Sequence, residues 1–190
     1  VRQRLLCIGG GAWVAVAIAA LPLVGGVLWV VTDRLLDVAQ GGLREVFDGV
    51  PWVEQTLGGV RLRLPHDAFF QVNAEGAEVL LRTIREALGP PVGATLLDLY
   101  CGVGALGLAL GSGYDRVIGI DTTVSAIEVA RDNAQEAGVE GEWHAGEVET
   151  LLPGLSLEGA AHVLVDPPRA GLHPRATGFL ATLQAETLVY

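Results

Sequence analysis

From about residue 94 onward, the sequence alternates short apolar runs with segments of helical periodicity, and this alternation limits the possible folds more than any other feature. The apolar runs predict strands at 94–99, 116–121, 141–145 and 161–166, and the periodic segments predict helices at 104–111, 123–137 and 173–186. Strands that alternate with helices in this way form a parallel sheet with helices on its faces. We therefore expect an α/β fold with a doubly wound parallel sheet, in which a further strand begins at Leu188.

A different pattern precedes this alternation. Residues 60–64 alternate apolar side chains with arginines, as expected for a half-exposed strand. Asn73 is a suitable N-cap for an amphipathic helix, and Gly89 begins a glycine-proline segment that would end it. The sequence thus predicts a small β-rich subdomain over residues 1–68 and an α/β domain over residues 69–190.

The stretch from Leu5 to Thr32 carries no charge, and hydropathy alone would make it a membrane helix or a signal anchor. Its glycines and its proline argue for turns instead. Residues 14–19 alternate valine or isoleucine with alanine, which is the period of a strand, and residues 29–31 are typical of a second strand. We expect strands and no membrane contact here, and the membrane-anchored alternative stays open.

Charge and composition exclude several classes of protein. The formal net charge is −10, so the chain lacks the basic surface of an autonomous nucleic-acid binder. Cys7 and Cys101 are the only cysteines, too few for a disulfide framework or a four-thiolate cluster. The four histidines show no metal-ligand spacing. We therefore expect a reducing, cytoplasmic setting and no metal site.

The strand at 94–99 leads through Asp98 into a glycine turn that opens a helix. Gly102, Gly104 and Gly107 satisfy the G-x-G-x-x-G pattern, whose glycines let the backbone approach a ligand closely. Two ligands compete for this pattern. A nicotinamide or flavin cofactor brings a pyrophosphate, which Asp98 would repel. S-adenosylmethionine has no phosphate and carries an amino group and a sulfonium, which an acid attracts. Asp98 therefore favours S-adenosylmethionine.

Two further acids follow the next strands. Asp121 ends the strand at 116–121 and is placed to accept hydrogen bonds from both ribose hydroxyls, with capping of the next helix as the alternative. Glu147 follows the strand at 141–145 and is placed to meet an adenine amino group, with a solvated first-turn carboxylate as the alternative. Ligands of open α/β sheets bind at the carboxyl ends of the strands, so we expect these acids at one site.

The strand predicted at 161–166 leads into the segment Asp166-Pro167-Pro168-Arg169. The two prolines fix the backbone and donate no N–H, which leaves the strand-end carbonyls free for a ligand. The Arg169 guanidinium can reach into the same opening, either to pair with a phosphate or to form a structural salt bridge.

Three motifs in this order resemble the RNA uracil-C5 methyltransferases, the 5-methyluridine enzymes of tRNA and 23S rRNA. The motifs are Phe69-Phe70-Gln71-Val72-Asn73, Leu97-Asp98-Leu99-Tyr100-Cys101-Gly102-Val103-Gly104 and Asp166-Pro167-Pro168-Arg169-Ala170-Gly171-Leu172. The resemblance implies a Rossmann-like class I methyltransferase domain that uses S-adenosylmethionine to methylate RNA. It assigns cofactor contacts to four side chains, Gln71, Tyr100, Asp121 and Asp166, and it places Asp166 beside the target base.

The resemblance also implies a covalent mechanism. In that family a cysteine thiolate adds to C6 of uracil, which makes C5 nucleophilic enough to take a methyl group, and a glutamate later removes the C5 proton. That cysteine follows the strand that here begins at Leu188, so it would lie beyond Tyr190. We expect Cys101 to be a small residue packed in the glycine turn rather than a substitute. Ala105 stands where the family often has a polar cofactor contact.

The chain opens on Val1 rather than methionine, and together with the missing cysteine this predicts a fragment that is inactive alone. Two other functions stay open. One is a base N-methyltransferase, although Arg169 stands where those enzymes place an aromatic side chain. The other is a cofactor-binding remnant without catalysis.

Overall fold

The computed structural model describes residues 3–7, 24–31, 42–65, 68, 73–91, 95–157 and 160–190. The chain forms two compact units, one comprising Val1–Glu54 with Arg63–Asp67 and the other Gln55–Leu62 with Ala68–Tyr190. All of the helices described below lie in the second unit.

The first unit contains a three-stranded sheet. Its strands are β1 (Gln3–Cys7), β2 (Val24–Val31) and β3 (Gly42–Asp48). The central strand, β2, runs parallel to β1 and antiparallel to β3, and Val27 within it is fully buried. The strand predicted at residues 29–31 is confirmed, and the one predicted at residues 14–19 lies outside the described residues. No helix in the described ranges combines the length and the apolar character needed to cross a membrane.

A tight hairpin follows, formed by β4 (Trp52–Leu57) and β5 (Val60–Pro65). Gly58 and Gly59 connect the strands with φ values of 57° and 85°, a left-handed pair that glycine adopts without strain. The predicted alternation in β5 is confirmed, because Leu62 is buried and Arg61 is exposed.

The helix predicted after Asn73 is also confirmed. In α1 (Ala74–Leu88), the Asn73 side chain accepts a hydrogen bond from the backbone N–H of Gly76 at 3.0 Å. The helix ends at Gly89, whose φ of 75° suits glycine. One face of α1 is buried and consists of Ala77, Leu81, Ile84 and Leu88.

The second unit is organised around a five-stranded parallel sheet in the order β10-β9-β6-β7-β8. The strands are β6 (Thr95–Leu99), β7 (Arg116–Asp121), β8 (Gly141–Ala145), β9 (Ala160–Val165) and β10 (Thr187–Val189). The helices between them are α2 (Ala105–Leu110), α3 (Val124–Ala137), α4 (Val148–Leu151) and α5 (Pro174–Leu180). This is the predicted doubly wound α/β fold. The chain leaves β6 toward β7 on one side and later returns to β9 on the other, so β6 borders the switch point where such sheets bind ligands.

The last helix is shorter than the sequence predicts. Instead of continuing to residue 186, α5 ends at Leu180, and the Thr182 hydroxyl donates to the carbonyl of Phe179 at 2.8 Å. The chain then turns so that Leu183 and Ala185 pack against the core. Burial of these side chains and pairing of β10 with β9 outweigh the helix propensity of this segment.

Candidate functional site

The carboxyl ends of neighbouring strands bring the predicted acids to one edge of the sheet. Leu99 near the end of β6 pairs with Ile120 on β7 and with Val165 on β9. Asp121 at the end of β7 pairs with Ala145 at the end of β8. The acids at or just after these strand ends are Asp98, Asp121, Glu147 and Asp166.

The glycine turn between β6 and α2 depends on left-handed backbone conformations. Gly102 and Gly104 have φ values of 55° and 75°. The backbone N–H of Cys101 donates to the carbonyl of Ile120 at 3.1 Å, and that of Gly104 donates to the carbonyl of Cys101 at 2.8 Å. Because Gly102 and Gly104 carry no side chain, a ligand can approach the backbone closely at these two positions before α2.

The third glycine of the pattern packs against Asp98. The backbone N–H of Gly107 donates to Oδ2 of Asp98 at 2.9 Å. A Cβ atom at Gly107 would lie 2.6 Å from that oxygen and 3.1 Å from Val117. Gly107 thus allows α2 to lie directly on β6 and β7, which is the packing role of the third glycine in such motifs.

Asp98 is a buried acid with an unusual charge state. Its residue exposure is 2%, and burial is the main cause that raises the pKa of its carboxyl from 3.8 to about 7. The hydrogen bond from Gly107 opposes this shift, while the negative charges of Asp166 and Asp121 add to it. A cation brought to this site would favour the ionised form of Asp98.

Asp121 holds two backbone segments at once. Its Oδ2 accepts from the N–H of Gly102 at 2.9 Å, and its Oδ1 accepts from the N–H of Thr123 at 2.8 Å. The N-cap of α3 is Thr123, which makes no side-chain capping bond. Each carboxylate oxygen can accept more than one hydrogen bond, so both retain capacity for the ribose hydroxyls predicted from the sequence.

Tyr100 is the one non-glycine residue with positive φ in the described part of the chain, at 64°. The left-handed region costs an ordinary residue about 1–2 kcal/mol. The ring is half-buried and packs against the core cluster of the sheet. Desolvation, followed by the charges of Glu149 and Tyr190, raises the pKa of the Tyr100 hydroxyl above 10.0. Strained backbone of this kind clusters at functional sites.

Cys101 is packed in the turn, as the sequence analysis expects. A Cβ atom at Gly119 would lie 3.0 Å from its sulfur, and the thiol donates weakly to the carbonyl of Gly102 at 3.8 Å. Burial, and then the charges of Asp98 and Asp121, raise the pKa of the thiol well above 9.0. The thiolate, which is the reactive form, is therefore disfavoured.

Three further predicted residues, Glu147, Asp166 and Arg169, are exposed and follow strands that end at this edge. Glu147 is exposed at the N-cap of α4, and its Oε2 accepts from the Thr150 hydroxyl at 3.3 Å. Asp166 is exposed, and its N–H donates to the carbonyl of Leu99 at 3.3 Å. Arg169 is exposed in the following turn. It has no ion-pair partner among the described residues, so the alternative of a structural salt bridge finds no support there.

Gln71 lies outside the described residues. Of the motif at 69–73, only Asn73 is described, and it caps α1. Within the described ranges, no group of three or more histidine, cysteine, aspartate or glutamate residues is arranged to hold a metal ion.

Two supporting residues were missed by sequence reasoning. The buried Trp143 ring lies beneath the turn, where a Cβ atom at Gly104 or Gly119 would come within 2.7 Å or 2.3 Å of it. The fully buried Asn133 on α3 donates to the carbonyl of Val103 at 3.3 Å. A polar residue on the apolar face of α3 was the available signal for Asn133, whereas Trp143 looks like any core aromatic in sequence.

A doubly wound parallel sheet with a glycine turn and acids at its switch point defines a Rossmann-like α/β domain built to bind a cofactor at this edge. The chain belongs to the methyltransferase small domain family, whose model matches residues 71–175. The fold and the methyltransferase class predicted from the sequence are therefore confirmed.

Named relatives narrow this class. The chain is 39% identical over 148 residues to the human tRNA (uracil-5-)-methyltransferase homolog B, covering 75% of this chain and 29% of that protein. It is 31% identical over 166 residues to an uncharacterized RNA methyltransferase of Clostridium tetani, covering 87% of this chain and 36% of that protein. The crystal structure of Pyrococcus abyssi tRNA (uracil-54, C5)-methyltransferase in complex with S-adenosyl-L-homocysteine is 32% identical with a TM-score of 0.69, covering 83% and 38%. The chain thus spans about a third of the length of these relatives, and the predicted resemblance is confirmed.

Proposed function

We propose that this chain is part of an S-adenosylmethionine-dependent RNA methyltransferase that methylates C5 of uridine in tRNA or rRNA, acting in the cytoplasm. The observation that carries the proposal is the meeting of Asp98, Asp121 and Asp166 around a glycine turn at the switch point, in a chain whose relatives are named for uracil-5 methylation.

The chemistry of this edge suits the cofactor. S-adenosylmethionine supplies an electrophilic methyl group on a sulfonium when bound. Asp121 would accept the ribose hydroxyls with the oxygens that already fix Gly102 and Thr123. The Gly102–Gly104 turn would let the backbone approach the ligand, and Asp98 would complement its positive charge. Gln71, Tyr100 and Glu147 are proposed as the other cofactor contacts.

The substrate end of the site is formed by the turn after β9. Asp166 is exposed beside the end of β6, where its carboxylate would orient the target base by hydrogen bonding. Arg169, three residues on, is exposed and free to pair with an RNA phosphate. The overall negative charge means that other parts of the full protein would supply most of the electrostatic attraction to RNA.

The nucleophile would come from a segment not included in these 190 residues. Cys101 is unsuited, because burial keeps it in the thiol form. By family resemblance, a cysteine after β10 would add to C6 of the uracil, and C5 would then take the methyl group from the sulfonium. A glutamate would remove the C5 proton, and the cysteine thiolate would leave C6 as the C5–C6 double bond re-forms. The carboxyl end of β10 lies at the same edge as Asp166, so a residue just past it would be close to the target base.

Transfer of labelled methyl groups to a U-rich stem-loop RNA tests this proposal. The 190-residue chain should show no transfer, and the same chain extended through the natural cysteine and glutamate should transfer methyl to C5 of uridine. Methylation of a base nitrogen by the extended chain would reject the assignment. Cofactor binding without any transfer would favour a non-catalytic role instead.

A further inference from the structure

One of the buried residues of α3 is polar. The buried face of this helix consists of Ala126, Ile127, Ala130, Asn133 and Ala134, and Asn133 is fully buried. An amide in an apolar layer loses its hydrogen bonds to water, and asparagine favours a helix less than alanine does. The packing of α3 alone would therefore be served better by an apolar residue at position 133.

The Asn133 amide reaches the glycine turn between β6 and α2. Its Nδ2 donates to the carbonyl of Val103 at 3.3 Å. The next peptide N–H along the turn, that of Gly104, donates to the carbonyl of Cys101 at 2.8 Å. The peptide group that joins Val103 to Gly104 is thus held at both of its polar atoms, by α3 at the carbonyl and by the turn itself at the N–H.

This peptide group needs support because Gly104 has a conformation that glycine does not fix by itself. Its φ is 75°, and a Cβ atom there would come within 2.7 Å of the Trp143 ring beneath the turn. Glycine has more accessible backbone conformations than any other residue. Val103 is buried, so its carbonyl would have no ready access to water if the Asn133 amide were removed. Loss of the amide would therefore favour other conformations of the turn.

We propose that Asn133 is a positioning residue for cofactor binding, which keeps the Val103–Gly104 peptide group, and with it the glycine turn, in the conformation that admits the ligand. Asp121 holds a different peptide group, at Gly102, and would itself touch the ligand. Asn133 is fully buried and acts on the ligand only through the backbone. Affinity is reduced in proportion to the fraction of molecules that have the binding conformation, so a loosened turn binds more weakly although no ligand contact is lost. This inference rests on the proposed function of the site.

Asn133→Leu tests the inference, because leucine has a similar size and suits the apolar face of α3 but donates no hydrogen bond. Calorimetric titration of the 190-residue chain with S-adenosylhomocysteine should give an affinity about tenfold lower for this variant, as expected if the binding conformation falls to about a tenth of the population. Asn133→Ser, whose side chain is too short to reach Val103, should show a similar loss and serves if the leucine variant does not fold.

Leu152→Ala is the matched control for a general loss of stability, since Leu152 is fully buried in the core cluster of the sheet with Val148 and Ala176. All titrations are made at a temperature where urea unfolding shows each variant to be folded. The affinity of Leu152→Ala should then stay within about twofold of the unaltered chain, because its site of change is separate from the turn. An equal fall in affinity for Leu152→Ala and Asn133→Leu would overturn the inference.

Amide hydrogen exchange locates the effect of the substitution. In Asn133→Leu, the N–H of Gly104 should exchange faster than in the unaltered chain, whereas the N–H of Gly107, which is bonded to Asp98, should keep its rate. Unchanged ligand affinity in a folded Asn133 variant would overturn the inference and leave the proposed function intact. An unaltered, folded chain that binds no S-adenosylhomocysteine would overturn both.

Discussion

The carboxylate of Asp121 accepts the backbone N–H of Gly102 at 2.9 Å and so ties the end of β7 to the glycine turn after β6. The side chain proposed to bind the cofactor ribose therefore also holds the turn that would face the cofactor. A substitution at Asp121 has two separable consequences, one for the stability of the turn and one for ligand affinity.

Gly104→Ala should destabilise the domain by about 2–4 kcal/mol, combining left-handed strain with overpacking. The added methyl group would lie 2.7 Å from the Trp143 ring at a residue with φ of 75°. Gly138→Ala is the matched control, since Gly138 has φ of 66° and a methyl group added there would meet nothing within 4 Å. Urea denaturation measures the free energy of unfolding of both variants. An equal loss of stability in the two variants would show that the Trp143 contact does not constrain the turn.

The Tyr100→Gly variant should have a higher free energy of unfolding than the Tyr100→Ala variant. Both Tyr100→Gly and Tyr100→Ala lose the half-buried ring, but only glycine relieves the strain at φ of 64°. Elsewhere glycine usually costs more backbone entropy than alanine, so the reversed order, by about 1 kcal/mol, is diagnostic. A more stable alanine variant in denaturant unfolding would mean that residue 100 is not held in the left-handed region.

Asp98 should make the free chain less stable as pH rises. The pKa of Asp98 is about 7 in the folded chain and 3.8 for an ordinary aspartate, such as one in the unfolded chain. The folded state therefore holds the proton more tightly than the unfolded state. Stability therefore falls as pH rises between about 4 and 7 and levels off above that window. The free energy of unfolding of Asp98→Asn minus that of the unaltered chain should accordingly be larger at pH 8 than at pH 5, because asparagine does not titrate.

Asp132→Asn provides the reference for the Asp98 measurement, because it makes the same chemical change at an exposed position. Subtracting its pH dependence removes general charge effects. A pH-independent difference between Asp98→Asn and the unaltered chain would contradict the raised pKa.

Cys101 should be slow to react with a thiol reagent in the folded protein. In a Cys7→Ser background at pH 8, its rate should fall about 100-fold below the rate in denaturant, because desolvation raises the thiol pKa well above 9.0 and the thiol is only partly exposed. Absorbance of the released chromophore follows the reaction. Similar rates with and without denaturant would reopen Cys101 as a candidate nucleophile.

Much of this arrangement could be predicted from the sequence because it depends on local patterns. The apolar runs define β6 to β9, and their parallel order brings Asp98, Asp121 and Asp166 to one edge. What could not be predicted depends on contacts between distant segments. Trp143 lies under Gly104 and Gly119 only after three strands have assembled, and nothing in its own strand indicates that position.

The backbone conformation of Tyr100 and the end of α5 could not be predicted from the sequence for a similar reason. The positive φ of Tyr100 is imposed by the strand before it and the turn after it, since tyrosine has no local preference for that region. The early end of α5 follows from burial of Leu183 and Ala185 against the core, which overrides a helical sequence.

Titration of the chain with S-adenosylhomocysteine is the most direct test of the central claim that this edge of the sheet is a cofactor site. We expect saturable heat from the unaltered chain. Asp121→Ala should weaken binding by on the order of 2–3 kcal/mol through lost hydrogen bonds to ribose, while Asp132→Ala should bind normally. A chain shown to be folded by cooperative unfolding that gives no heat at millimolar ligand would contradict the account.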